Sequence, residues 1–134
     1  MLNSAGVEYL LLGGYAVAYY GVPRATGDMD LWFNPTGENA ARLLRALREF
    51  GFSALTLTPE QLQQPGRVFR MGRPPLRIEL LSSVSGLEFA EAYARRQVVR
   101  IGDVGVSLIG LDDLKANKRA AGRRRDLDDL DQMA

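Results

Sequence analysis

Asp28 and Asp30 flank a single methionine in the run Asp28-Met29-Asp30-Leu31-Trp32-Phe33. In an extended strand, residues two apart share a face and lie roughly 6.6 Å apart along the chain. Two carboxylates held in this way repel each other unless something positive sits between them. Ligation by oxygen alone selects a hard divalent ion, Mg²⁺ or Mn²⁺. The alternative is a strand end open to water, where the charges only block edge pairing. The Asp-x-Asp spacing taken alone favours that second reading. Gly13-Gly14 shifts the balance, because a strand that ends in two glycines and leads into a helix presents backbone N–H groups to a phosphate. An ordinary tight turn is the competing explanation. A phosphate cradle followed closely by an Asp-x-Asp strand supplies both halves of a triphosphate–metal site. In Arg77-Ile78-Glu79-Leu80-Leu81 a third acid, Glu79, falls on the face opposite Ile78 and Leu80. It either sits on a solvated face paired with Arg77 or joins Asp28 and Asp30. If its strand lies beside theirs, three carboxylates converge as two-metal phosphoryl or nucleotidyl transfer requires.

Composition narrows the chemistry in the same direction. The 134 residues include no cysteine and no histidine. Disulfides, thiolate nucleophiles, Cys-ligated metals, Ser-His or Cys-His catalysis and imidazole ligands are therefore excluded. What remains is carboxylates, Lys, Arg, Tyr, hydroxyls, backbone amides and an oxygen-bound cation. At 46% hydrophobic and 25% charged, the chain is expected to fold as one globular domain over residues 1–134. Its 17 basic and 16 acidic side chains leave a net charge of +1. That balance argues against a sequence-independent nucleic-acid coat but leaves room for a local basic groove. No apolar run approaches a membrane span and Met1 opens no signal peptide, so a cytoplasmic protein without membrane contact is expected.

The elements that must position these residues read as alternating strands and helices. A buried strand is predicted over 7–12, a short helix over 15–20, and a strand over 28–33. In that strand Met29, Leu31 and Phe33 point one way, and Asp28, Asp30 and Trp32 the other. Pro35-Thr36 opens an amphipathic helix to about Phe50, and 52–57 is a further candidate strand. Thr58-Pro59-Glu60-Gln61 has the spacing of a capping box. Apolar runs at 67–71 and 76–81 suggest a hairpin, as do 98–101 and 104–108 around Gly102-Asp103. Helices are predicted over 87–95, 111–121 and 127–133, with Asp126 and Asp129 as candidate caps of the last. The order implies a mixed β-sheet with helices packed against it, an α/β or α+β fold.

The segment GVEYLLLGGYAVAYYGVPRATGDMDLWF, with the later acidic strand, resembles the minimal nucleotidyltransferases of the DNA polymerase β superfamily. The nearer likeness is to bacterial toxin and abortive-infection nucleotidyltransferases. These carry an Arg-x-Thr before the two aspartates, matched by Arg24-Ala25-Thr26. They also carry a late Ala-Asn-Lys-Arg-Ala-Ala-Gly helix, matched by Ala116 to Gly122. Two positions depart from the pattern: Tyr20-Gly21 stands where many relatives have His-Gly, and Glu79 where the third acid is more often Asp. The resemblance implies that Gly13 and Gly14 hold an NTP triphosphate and that Asp28 and Asp30 bind the bridging metal. It implies that Glu79 helps bind a second metal. An acceptor hydroxyl then attacks the α-phosphorus, nucleoside monophosphate is transferred, and pyrophosphate leaves. The acceptor would be RNA such as tRNA, a protein or a small molecule. A second subunit or a partner protein would complete the acceptor site if the groove does not, in a setting related to toxin–antitoxin pairs.

Other residues have two readings each. Lys118 falls in one stripe with Leu111, Leu114 and Ala121, where it either snorkels to the surface or reaches inward to an anion; the resemblance points to nucleotide phosphates. Arg24 and Thr26 line the pocket mouth or stabilise a turn. Trp32 stacks on a base or fills the core, and its type favours the core. Tyr15, Tyr19 and Tyr20 read as helix packing residues. Arg123-Arg124-Arg125 reads as a solvated run balanced by Asp126, Asp128, Asp129 and Asp131, with an RNA-binding edge as the alternative. For the whole chain the rivals to an enzyme are a non-catalytic nucleotide-, RNA- or protein-binding module on the same fold and a phosphotransfer enzyme of another fold.

Overall fold

Tyr9–Leu12 (β1) is apolar at every position and buried at every position, the signature of a strand covered on both faces. The computed structural model describes residues 6–20, 28–50, 57–73, 76–101 and 104–133. Within these, β1 is central. It pairs antiparallel with β2 (Asp28–Phe33) and parallel with a strand near the C-terminal end, Val104–Leu108. The remaining strands are β3 (Val68–Arg73), β4 (Leu76–Leu81) and β5 (Gln97–Ile101), with Val104–Leu108 as β6. Together they form one mixed sheet in the order β3-β4-β2-β1-β6-β5. Both predicted hairpins are present as antiparallel pairs, β3 with β4 and β5 with β6. The residues joining each pair, 74–75 and 102–103, lie outside the described residues. So does most of the candidate strand at 52–57, of which Leu57 alone is described and is not in a strand.

The helices are α1 (Gly14–Tyr19), α2 (Gly37–Phe50), α3 (Pro59–Leu62), α4 (Phe89–Ala94), α5 (Leu111–Ala121) and α6 (Arg124–Met133). The fold is thus mixed α+β, as expected. Local signals account for several boundaries. Thr36 starts α2 by accepting the Asn39 N–H on its hydroxyl at 3.3 Å. Thr58 and Gln61 make both bonds of the capping box at α3. Gly122 ends α5 in the left-handed conformation at φ 64°. The last helix begins earlier than its apolar pattern suggests, at Arg124 and not Leu127. Asp126 explains this, since its carboxylate reaches back to accept the Arg123 N–H at 3.2 Å and recruits the arginines into the first turn.

Burial in β2 covers both faces at its apolar end. Leu31, Trp32 and Phe33 are all buried, so only the aspartate end of the strand lacks cover on one face. Trp32 is a core aromatic. Its ring meets Phe89 edge-on at 5.2 Å, and Phe89 stacks on Tyr93 at the same spacing. Tyr15 and Tyr20 pack against the core, and the Tyr20 hydroxyl donates to the Ile109 carbonyl at 2.7 Å. Tyr19 does not follow them; it is 55% exposed. Among the described residues no helix is long and apolar enough to cross a membrane.

One buried polar residue ties the N-terminal half together. Asn39 accepts the Glu8 N–H at 2.8 Å and donates to the carbonyls of Glu8 and Asn34 at 3.0 and 2.8 Å. It occupies the apolar stripe of α2 with Leu43 and Leu47 and joins that helix to the ends of β1 and β2. Asn39→Ala should cost roughly 1–3 kcal/mol, because it removes three hydrogen bonds to partly buried backbone groups of Glu8 and Asn34. Urea denaturation at neutral pH measures this; an unchanged midpoint would remove Asn39 from its structural role.

Candidate functional site

The site is built by strand register. β2 and β4 run parallel, with Asp30 opposite Glu79 and Asp28 opposite Arg77. On the next strand Arg70 lies opposite Glu79, and on the other side Leu12 lies opposite Asp30. Adjacent strands at one register level share a face. A row therefore crosses the sheet on one side: Arg70, Glu79, Asp30, Leu12. All four line a polar cavity of about 990 Å³, together with Gly13, Gly14, Lys118 and Arg123. The sequence expectation that the Glu79 strand lies beside the aspartate strand is met.

Glu79 does not pair with Arg77. Its carboxylate accepts from Arg70 Nε at 2.8 Å across the β3–β4 pair. Among the described residues no group of three carboxylates gathers as a metal site. Asp30 and Glu79 contribute two adjacent acids, and the side chain of Asp28 lies outside the described set, as do Arg24 and Thr26. The first glycine of Gly13-Gly14 has a steric purpose. At φ 69° and ψ −145°, Gly13 holds a backbone conformation nearly closed to other residues. A Cβ there would sit 2.1 Å from Asp30 Oδ2. The missing side chain is the space in which the Asp30 carboxylate rests, at the cavity wall.

The far wall comes from α5 and α6. Lys118 reaches inward to an anion, one of its two predicted courses, and the anions it meets belong to the protein. Its ammonium lies 3.2 Å from Asp126 and 2.9 Å from Asp129, with all three residues buried. Arg123 adds to Asp126 through Nε at 2.7 Å. Of the four aspartates read as balancing charges on a solvated face, Asp126 and Asp129 are thus buried partners of Lys118, whereas Asp128 and Asp131 are exposed. Asp126, Asp129 and Leu130 form one stripe of α6, and Lys118 interrupts the apolar stripe of α5. That complementary pattern was the available signal. A second missed pair, Arg95 with Asp113, joins α4 to the first turn of α5 by two bonds of 3.0 and 2.9 Å.

Electrostatics connect this wall to the strand row. The Arg123 guanidinium is held above its usual pKa by its hydrogen bond to Asp126 and that residue's charge, and to a smaller degree by the charge of Asp30. Burial pushes Asp126 upward, but hydrogen bonds from Arg123 and Lys118, with their charges, outweigh it and leave the carboxyl below its ordinary value. The cavity thus carries both signs: Arg70 beside the acidic pair Glu79 and Asp30 along the sheet, then Arg123, Asp126 and Lys118 on the helices.

Neither the protein-family models nor the curated proteins compared with the chain match it.

Two stability effects follow from the buried triad. Lys118→Met should cost about 3–5 kcal/mol, since it removes the buried ammonium that Asp126 and Asp129 share; denaturant midpoints measure the loss. A carboxyl whose folded pKa is depressed stabilises above its unfolded pKa, and that contribution fades as pH falls through the folded value. Wild-type stability should therefore decline as pH drops below about 4. Asp126→Asn should be less stable at pH 7 and show a flatter acid limb. Parallel acid limbs for the two proteins would contradict the role given to Asp126.

Proposed function

We propose that this chain is a Mg²⁺- or Mn²⁺-dependent nucleotidyltransferase of the minimal type, moving a nucleoside monophosphate from an NTP to an acceptor hydroxyl and releasing pyrophosphate. The observation that carries the reading is the juxtaposition of Asp30, Glu79 and the Cβ-free Gly13 at one end of a polar cavity. Hard oxygen donors at adjacent register positions in the lining of a polar cavity suit a hard divalent cation. In this reading Asp28 and Asp30 hold the cation from β2, and Glu79 holds it from β4. When bound, the cation neutralises phosphate charge and acidifies an attacking hydroxyl.

The chain's own residues supply the rest. Gly13 and Gly14 line the cavity where β1 passes into α1; the Asp30 carboxylate fills the space beside Gly13, so in this reading a phosphate meets the glycine turn together with the cation held there. Arg123 and the nearby Arg125 add positive potential at the same cavity. The charge of Lys118 is already matched by Asp126 and Asp129, so its first contribution is to hold the wall in place. Arg24 and Thr26 enter from the segment preceding β2 on the strength of the Arg-x-Thr likeness. RNA, a protein or a small molecule remains the acceptor class, with a second subunit or partner protein completing its site. The ion pair that occupies Glu79 supports one other reading, a module that binds nucleotide without transferring it.

Incubation with α-labelled NTPs, Mg²⁺ or Mn²⁺, total RNA and cell lysate separates these. Label should move to an acceptor, and Asp28→Ala with Asp30→Ala should abolish transfer while circular dichroism stays native. Metal-dependent nucleotide binding without transfer would favour the module. Failure of the folded protein both to move label and to bind any NTP would overturn both. Gly13→Ala should lower transfer on the order of 10²-fold by displacing the Asp30 carboxylate; wild-type rates would argue against Asp30 as a ligand.

A further inference from the structure

Glu79 has two claimants in the proposed site, and they need the same oxygens. The row across the sheet places Glu79 between Asp30 on β2 and Arg70 on β3. Arg70 Nε donates to Glu79 Oε1 at 2.8 Å, and all three side chains line the cavity. The two partners differ in freedom. The Glu79 side chain is 22% exposed, whereas that of Arg70 is 66% exposed and lies on an edge strand. An exposed guanidinium gives up such an ion pair at small cost, because water replaces most of what it loses. A divalent cation held by Asp30 and Glu79 would meet an arginine already seated on one of its ligands.

We propose that Arg70 is a positioning residue that competes with the divalent cation for Glu79 and so sets the cation affinity of the site. Arg70 orients the Glu79 carboxylate within the row and keeps its charge matched. Arrival of the cation transfers Glu79 from guanidinium to metal and turns Arg70 outward into the cavity mouth. No bond to carbon, phosphorus or hydrogen changes in this exchange. The proposal rests on the divalent-cation site of the proposed function, and it is tested by binding and not by turnover.

The measurement is a Mn²⁺ titration of the full chain, following the free-ion electron paramagnetic resonance signal. Wild type, Arg70→Gln, Glu79→Gln and the double variant are compared. Arg70→Gln should tighten Mn²⁺ binding about three- to fivefold, the size of an exposed ion pair. The same substitution in the Glu79→Gln background should have no effect, since the competition needs the carboxylate. Arg70→Met, which keeps the apolar stem, reports the same quantity if the glutamine variant does not fold. Unchanged or weaker binding in both Arg70 variants overturns the role of Arg70, and so does equal tightening without Glu79. Absence of Mn²⁺ binding in wild type and Arg70 variants alike overturns the cation site itself, and with it the proposed function.

Discussion

Parallel pairing of β2 with β4 puts Asp30 directly opposite Glu79 in the inner part of the sheet. Like charges at one register position destabilise a strand pair, and burial raises the cost because the surroundings screen less. Much else in the molecule answers that constraint. Arg70 pairs with Glu79 from the outer strand, and Arg123 lies close enough to feel the charge of Asp30 from the helical wall. Gly13 gives up its side chain so that the Asp30 carboxylate has room. Apolar positions need no such provisions: Leu10, Leu80 and Leu108 are simply buried.

The helical wall solves a related problem by a different route. Lys118, Asp126 and Asp129 are all buried, and a lysine with two carboxylates leaves one excess negative charge that Arg123 offsets. Such a cluster is costly to desolvate and adds little net stability over an apolar equivalent. Its strength lies in geometry. Its pairs join the buried stripe of α6 to α5, with Arg123 and Arg125 at the cavity. The fold and the candidate site are therefore linked through charge placement more than through apolar contact.

Much of the local structure was legible in the sequence, because the signals are local. The capping box at Thr58, the hairpins and the span of α5 each rest on residues within a few positions of one another. The start of α6 was misread because its buried face is acidic: Asp126 and Asp129 look like surface residues until Lys118 is placed opposite them. Asn39 was missed for the same reason, a polar side chain within an apolar helical stripe. For the site, the residue types pointed to Gly13, Asp30 and Glu79 on chemical grounds. The crossing that sets β4 beside β2 could be posed only as a condition, since strand order depends on contacts distant in sequence. The pairing of Glu79 with Arg70, not Arg77, depends on register, which residue spacing does not determine. The steric reason for Gly13 depends on the approach of a second strand.

If a divalent cation belongs between the carboxylates of this row, it must also stabilise the fold, because a ligand bound to the native state alone shifts the unfolding equilibrium. The direct measurement is the thermal midpoint of the chain as Mn²⁺ or Mg²⁺ is raised at constant ionic strength. A cation-bridged Asp30–Glu79 row predicts a midpoint that climbs with the divalent ion in wild type and stays flat in Asp30→Asn. A wild-type midpoint indifferent to both ions would contradict it.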